Sequence, residues 1–168
     1  MKIAIIYDSI TGNTELLAKE IAKEVKPDEL LVVKKVDEEI PEAELYFIGS
    51  WTDRGSCSDK IKKLFEKLHH KRIAYFETAG FKGEDYFERL FMRVKELIPG
   101  DNKIIGHYFC QGKMPIATKE RYLKMIKANP EDAKLKVSLD NFEEALNHPD
   151  EDDLKKLREW VKNCLNNI

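Results

Sequence analysis

Apolar positions along this chain follow two rhythms. Short unbroken runs, Ile3–Tyr7 and Leu45–Gly49, are what strands buried on both faces require. Leu30–Val36, Ile73–Phe76 and Lys103–Phe109 are β-branched or aromatic enough to read the same way. Between these runs the spacing lengthens to that of a helix. Leu17, Ala18, Ile21, Ala22 and Val25 form one stripe that Pro27 helps to end. Ile61, Leu64, Phe65 and Leu68 form a second, and Phe87, Leu90, Phe91, Val94, Leu97 and Ile98 a third, stopped by Pro99-Gly100. Leu154, Leu157, Val161, Cys164 and Leu165 face one side of a last helix that begins near Pro149. The acidic run Asp150–Asp153 reads as that helix's first turn, where carboxylates complement the dipole.

Five strands separated by helices imply an α/β fold: a doubly wound, five-stranded parallel sheet with helices on both faces. Such sheets bind ligands beyond the carboxyl ends of their strands. One stretch departs from the minimal pattern. Some 40 residues, Cys110–Pro149, separate the fifth strand from the last helix, where a short connection would suffice. Tyr122, Leu123 and Ile126 suggest one helix there, and Phe142, Ala145 and Leu146 a second. The expectation is a single domain over 1–168, with 110–149 as an insertion-like segment inside it.

Composition narrows the function classes. With 29 Lys+Arg against 31 Asp+Glu the net charge is −2, which argues against nucleic acid as the partner. A content of 42% apolar and 10% aromatic residues argues against disorder. No apolar run exceeds five residues, so neither membrane insertion nor a signal peptide is expected. Cys57, Cys110 and Cys164 are odd in number and never in C-x-x-C, a pattern that fits a reducing, cytoplasmic setting without zinc. His69, His70, His107 and His148 have no ligand spacing, so no metal is expected.

The sharpest local signal is Ser9-Ile10-Thr11-Gly12-Asn13-Thr14, which joins the first strand to the first helix. It carries three hydroxyls, one amide, one glycine and no charge. Backbone N–H groups at a helix N-terminus, joined by hydroxyls, converge on an anion in this way. The simpler alternative is that Thr14 caps the helix and Gly12 turns the chain. Neither G-x-x-x-x-G-K-[ST] nor G-x-G-x-x-G occurs. A monophosphate is the better match, because a helix terminus and hydroxyls can hold one dianion without a metal.

Ser9–Thr14 matches [ST]-x-T-G-x-T, and here the sequence resembles the flavodoxin family. The resemblance covers the strand and helix spacing to about residue 109, plus the last helix. Gly49–Cys57 (GSWTDRGSC), Thr78–Phe81 (TAGF) and Cys110–Pro115 (CQGKMP) further resemble one branch of flavodoxin-like proteins. The family implies FMN as cofactor, with Ser9, Thr11, Gly12, Asn13 and Thr14 around its phosphate. It also implies contacts at Ser50, Trp51, Thr52, Gly55 and Gln111. The residue chemistry agrees. Trp51 offers a stiff stacking surface for the isoalloxazine, or else is a core or rim tryptophan. The N–H or C=O of Gly55 suits the flavin's reactive nitrogen edge. Thr78, Ala79 and Gly80 offer N–H groups to the pyrimidine edge, where negative charge collects on reduction. Phe81 either covers the second ring face or is an ordinary hydrophobe at a helix entry.

Charges near these loops set the chain apart from acidic flavodoxins, since they sum to one positive charge. Arg54 or Lys113 would stabilise reduced flavin, unless they are solvated or paired with carboxylates. Cys57 is expected near a helix N-terminus, which lowers a thiol pKa, and Cys110 in the loop after the fifth strand. Either thiol is redox-active or simply a small packing residue.

Two functional readings stand. One is an FMN electron-transfer protein, reduced by a reductase or a ferredoxin and delivering electrons to an acceptor oxidoreductase. In it the 110–149 segment lies beside the flavin edge as a docking surface or a small substrate pocket. The other is a stand-alone FMN-dependent NAD(P)H or quinone-type reductase, although no nicotinamide-nucleotide motif is evident. A cofactor-free receiver-like domain fits less well: Asp8 lacks the acidic neighbour such domains need, and the hydroxyl loop would go unexplained.

Overall fold

The computed structural model describes residues 1–168. Its core is a parallel sheet of β1 (Ile3–Tyr7), β2 (Leu30–Lys35), β3 (Leu45–Asp53), β5 (Arg72–Ala79) and β6 (Lys103–Gln111), in the order β2-β1-β3-β5-β6. A two-residue strand, β4 (Ser56–Cys57), folds back antiparallel on the end of β3. The helices are α1 (Asn13–Glu24), α2 (Asp59–Phe65), α3 (Glu84–Lys95), α4 (Ile116–Ala128), α5 (Ala133–Ala145) and α6 (Glu151–Asn166).

The pleat sorts alternate residues of the continuous apolar runs onto two faces. Ile3, Ile5, Phe47, Ala74 and Phe76 pack under α1 and α6, against Leu17, Ile21, Leu157 and Val161. Ala4, Ile6, Tyr46, Ile48, Ile73 and Tyr75 pack under α2 and α3, against Ile61, Phe65, Leu90 and Val94. β1, buried at all five positions, shows why a strand covered on both sides has no polar alternation. The acidic run does open α6: Asp150 and Asp153 form a reciprocal capping box, and Glu151, Asp152 and Asp153 occupy the first turn. No helix is long and apolar enough to cross a membrane.

The strands differ from expectation at their carboxyl ends. β3 continues past Gly49 to Asp53, β5 past Phe76 to Ala79, and β6 past Phe109 to Gln111. The ladder pairs Ser50 with Glu77, Trp51 with Thr78, Thr78 with Cys110 and Ala79 with Gln111. Polar residues remain in extended backbone there because neighbouring strands satisfy their main-chain groups. Cys110 therefore lies within a strand, not in a loop. Asp53-Arg54-Gly55-Ser56 is a hairpin turn with positive φ at both central residues, 48° and 79°, as type I′ geometry requires.

The 110–149 segment forms two helices of 13 residues each. α5 buries Leu135, Phe142 and Ala145, whereas α4 buries nothing. α4 lies against α5 and across the carboxyl end of the sheet, where Thr118, Arg121 and Tyr122 line a cleft.

Candidate functional site

The cleft encloses about 540 Å³ above the ends of β1, β3 and β5. A larger recess of about 710 Å³ lies at the opposite end of the sheet, but it is a shallow hollow among charged residues with one apolar side chain. Parallel sheets bind ligands at their carboxyl edge, and Thr11, Asn13, Trp51, Thr52, Gly55 and the Thr78–Phe81 stretch line the cleft there, whereas Ser9, Gly12, Thr14, Ser50 and Gln111 do not.

The first wall grows from β1. After Tyr7 the chain turns through Gly12, which sits at φ 86° as the N-cap of α1 and supplies no side-chain cap. That left-handed conformation is where glycine costs least, and it leaves the first N–H groups of α1 without a capping side chain. The Oγ of Ser9 is buried without a hydrogen-bond partner. A buried hydroxyl lacking a partner beside an uncapped helix start is what an incoming phosphate would satisfy. The Asn13 amide donates to the Lys113 carbonyl at 2.9 Å, tying this loop to the one after β6. Thr14, fully buried, shares a 3.0 Å hydrogen bond with the Thr78 hydroxyl and so fastens α1 to the end of β5.

The second wall comes from β3 and its hairpin. Trp51 lines the cleft, and its indole N–H donates to Asp8 Oδ2 at 3.0 Å, which fixes the ring plane. Asp8 is thus a positioning carboxylate. Ser50 is fully buried and turned away, its hydroxyl donating to the Trp51 carbonyl at 2.8 Å and accepting from the Ser58 N–H at 2.9 Å. Gly55 lines the cleft, but the Arg93 guanidinium donates to its carbonyl at 3.1 Å. Of the two Gly55 groups anticipated for the flavin edge, the carbonyl is already engaged. Arg54 lies 3.3 Å from Asp53 and is 81% exposed, so the nearest rim arginine is paired.

Thr78, Ala79, Gly80 and Phe81 line the third wall, as do Thr11, Asn13 and Thr52 elsewhere in the cleft. Phe81 meets Tyr86 edge to face at 6.4 Å and remains 40% exposed. Gln111 does not face the cleft. It is buried, and its amide donates to the Gly80 carbonyl and to Asn141 Oδ1, both at 3.0 Å. Asn141 donates to the same carbonyl at 3.0 Å, so this cluster bolts α5 to the loop after β5.

Neither candidate thiol is activated. Cys57 is fully buried, and desolvation together with nearby Glu77 pushes its pKa up to about 12. Burial likewise holds Cys110 well above the ordinary thiol value. Cys57 does lie at the N-terminus of α2, just before its cap Ser58, but burial outweighs any help from the helix. Both cysteines are packing residues.

Sequence reasoning missed cleft residues from α3, α4 and the loop after β6, among them Tyr86, Met114, Arg121 and Tyr122, and one buried group behind the wall. Arg121 and Tyr122 reach it only because α4 crosses the sheet end, and Arg121 lies 5.9 Å over the Tyr122 ring. Behind the wall, hydrogen-bonded to Thr52, Glu77 is a fully buried acid whose pKa is raised to about 7 by desolvation. Its signal was an isolated acid between Phe76 and Thr78 in an otherwise apolar strand.

Comparison with known proteins agrees with this geometry. Residues 4–162 match the flavodoxin domain. The chain is 32% identical over 172 aligned positions to the flavodoxin-like domain-containing protein BilS of Clostridioides difficile, covering 98% of this chain and 97% of that protein. It is 34% identical to the BilS protein of Clostridium symbiosum, covering 96% and 94%. Among solved structures, oxidised flavodoxin 2 from Bacillus cereus superimposes over the full length of both chains with a TM-score of 0.58 at 18% identity. A Lactobacillus acidophilus flavoprotein in complex with FMN superimposes with a TM-score of 0.52 at 21% identity, over 64% of this chain and 92% of its own. The uncapped α1 start, the partnerless Ser9 hydroxyl and the tryptophan-walled cleft fit FMN as the cofactor, and with the match over 4–162 they place the chain in the flavodoxin family.

Proposed function

We propose that this protein is an electron carrier that takes electrons from a reductase or a ferredoxin and delivers them from FMN to an acceptor oxidoreductase. FMN would supply the redox chemistry; the uncapped α1 start and the Ser9 hydroxyl would hold its phosphate, and Trp51 would offer its ring a stacking surface. The observation that carries this reading is the apolar rim of the cleft. Ile10 and Phe81 line it and are 62% and 40% exposed. Ile116, at the start of α4 beside Pro115, is 65% exposed. Large side chains held in solvent around a cofactor edge suit a transient protein partner better than a small substrate. Lys113 and Arg121 add positive charge to that rim and would steer an acidic partner face.

Stepwise anaerobic reduction of the FMN-loaded protein, followed by mixing with candidate oxidised partners, tests the proposal. Electron transfer that Ile116→Asp slows, without changing FMN binding, is the expected result. Steady consumption of NAD(P)H by the protein alone, with a small quinone as acceptor, would replace this reading with the stand-alone reductase.

A further inference from the structure

Glu77 lies one residue before Thr78 and shares its face of β5 with Tyr75. Its carboxyl is fully buried and forms no ion pair. The Tyr75 hydroxyl donates to Oε2 at 2.5 Å, and the Thr52 hydroxyl donates to Oε1. From β4 it faces Cys57, and from α3 Tyr86, both of which ionise only to anions. Phe109 stands opposite it on β6. The cations nearby are engaged elsewhere: Arg93 holds the Gly55 carbonyl, Arg89 acts on Tyr86, and Lys62 of α2 pairs with Asp59. A carboxylate in such surroundings is stabilised only by hydrogen bonds.

Thr52 connects this group to the cleft. It lines the cleft wall, and its Oγ lies within hydrogen-bond reach of both Glu77 Oε1 and the Thr78 carbonyl, the latter at 3.1 Å. A threonine hydroxyl has one proton to give and can also accept. With Glu77 ionised, that proton points at Oε1. With Glu77 protonated, the carboxyl O–H donates to Thr52, whose own proton is then released to the Thr78 carbonyl. One proton on Glu77 therefore reverses a hydrogen bond at the cleft wall.

We infer that Glu77 is the proton-coupling residue of the flavin site, taking up a proton from solvent through the Thr52 hydroxyl when negative charge enters the cleft. This rests on the FMN reading. The electron comes from the reducing partner and stays on the cofactor. The proton comes from solvent: Thr52 passes its own hydroxyl proton to Oε1 and accepts one from the cleft side. An O–H bond forms on Glu77, which goes from −1 to neutral, and no bond to the cofactor forms or breaks. The carboxyl's position near pH 7, set by burial, leaves it able to change state under physiological conditions.

The test uses two measurements on the wild type, Glu77→Gln, Thr52→Val and Thr52→Ser. In the FMN-free protein, infrared difference spectra between pH 5 and 9 should show one carboxyl band titrating near 7, lost in Glu77→Gln and kept in both Thr52 variants. In the FMN-loaded protein, anaerobic reduction in weak buffer with an indicator dye should show extra proton uptake that peaks in the same range and is absent from Glu77→Gln. Thr52→Val should slow that uptake by about tenfold, and Thr52→Ser should restore it. No titrating band in the FMN-free protein, or equal uptake in the wild type and Glu77→Gln, overturns the inference and leaves the cofactor assignment standing. Failure to bind FMN at all overturns the cofactor assignment and, with it, the coupling.

Discussion

The two sides of the cleft are built on opposite terms. The sheet side is locked by buried side chains: Thr14 on Thr78, Ser50 on the backbone at Trp51 and Ser58, and Phe76 fully enclosed beneath. On the α4–α5 side only α5 is anchored, by buried Leu135, Phe142 and Ala145 and by the Asn141 cluster at Gly80, while α4 buries no residue and is tied to α5 by the exposed pair Lys119–Glu143. A cofactor needs fixed geometry around its phosphate and ring, whereas a partner-facing wall benefits from room to adjust. Rigidity in this fold thus follows apolar area and buried hydrogen bonds, and adaptability follows their absence.

The largest expected effect compares core with rim. Phe76→Ala removes a fully buried ring from the sheet side and should cost about 3–5 kcal/mol by urea denaturation. Leu123→Ala on α4, where the side chain is 44% exposed, should stay within about 0.5 kcal/mol. Similar losses at both positions would mean that α4 is as deeply integrated as the sheet.

Glu77 gives the next effect, this time with pH. Its folded-state pKa is raised from 4.5 to about 7, so between those values the folded protein binds more protons than the unfolded chain. Stability is therefore intact below 4.5, falls as pH rises toward about 7, and levels off above it. The total fall is roughly 3 kcal/mol. Denaturation at pH 5 and pH 8 should show this slope in the wild type and not in Glu77→Gln. A slope of the same size in both would assign it to other groups.

How much of this was legible in the sequence divides along the same line. The Ser9–Thr14 loop stood out because an uncharged, hydroxyl-rich stretch follows a fully apolar strand, and the structure sets it at an uncapped helix start. The two-faced core was legible because continuous apolar runs leave a parallel sheet few alternatives. The strand ends were not. Ser50, Trp51, Glu77 and Thr78 break the apolar pattern, and what keeps them extended is long-range pairing that periodicity does not record. Gln111 carried a motif-based expectation of cofactor contact, yet its amide braces Gly80 and Asn141, because β6 runs two residues further than its apolar pattern. The hairpin at Arg54-Gly55 was hidden for another reason: a two-residue strand has too few side chains to show alternation.

Asn141→Ala would sharpen the comparison at an intermediate scale. It removes the amide hydrogen bond to the Gly80 carbonyl and the acceptor for Gln111. Gln111 still donates to Gly80, so the global cost should be about 1–2 kcal/mol. Hydrogen exchange should quicken across α5 more than in β5. Uniform quickening over both would show that the two sides open as one unit.

The smallest expected effect concerns salt. Lys82–Glu144 joins the loop after β5 to α5, and Lys119–Glu143 joins α4 to α5, with every side chain between 33% and 55% exposed. Exposed pairs are screened once ionic strength shortens the Debye length to a few ångströms. Raising salt should therefore leave the melting transition almost unmoved, because the sheet core carries no dependence on these charges. Amide exchange in α4 should nonetheless rise severalfold, since few other interactions hold that helix down. In Lys82→Met/Lys119→Met the exchange should already be fast and no longer respond to salt. A salt response that survives the double substitution would instead place the holding force in the remaining cations of the rim, Lys113 and Arg121, and would make their charge, and not the α4–α5 pairs, the determinant of how closely that wall sits over the cleft.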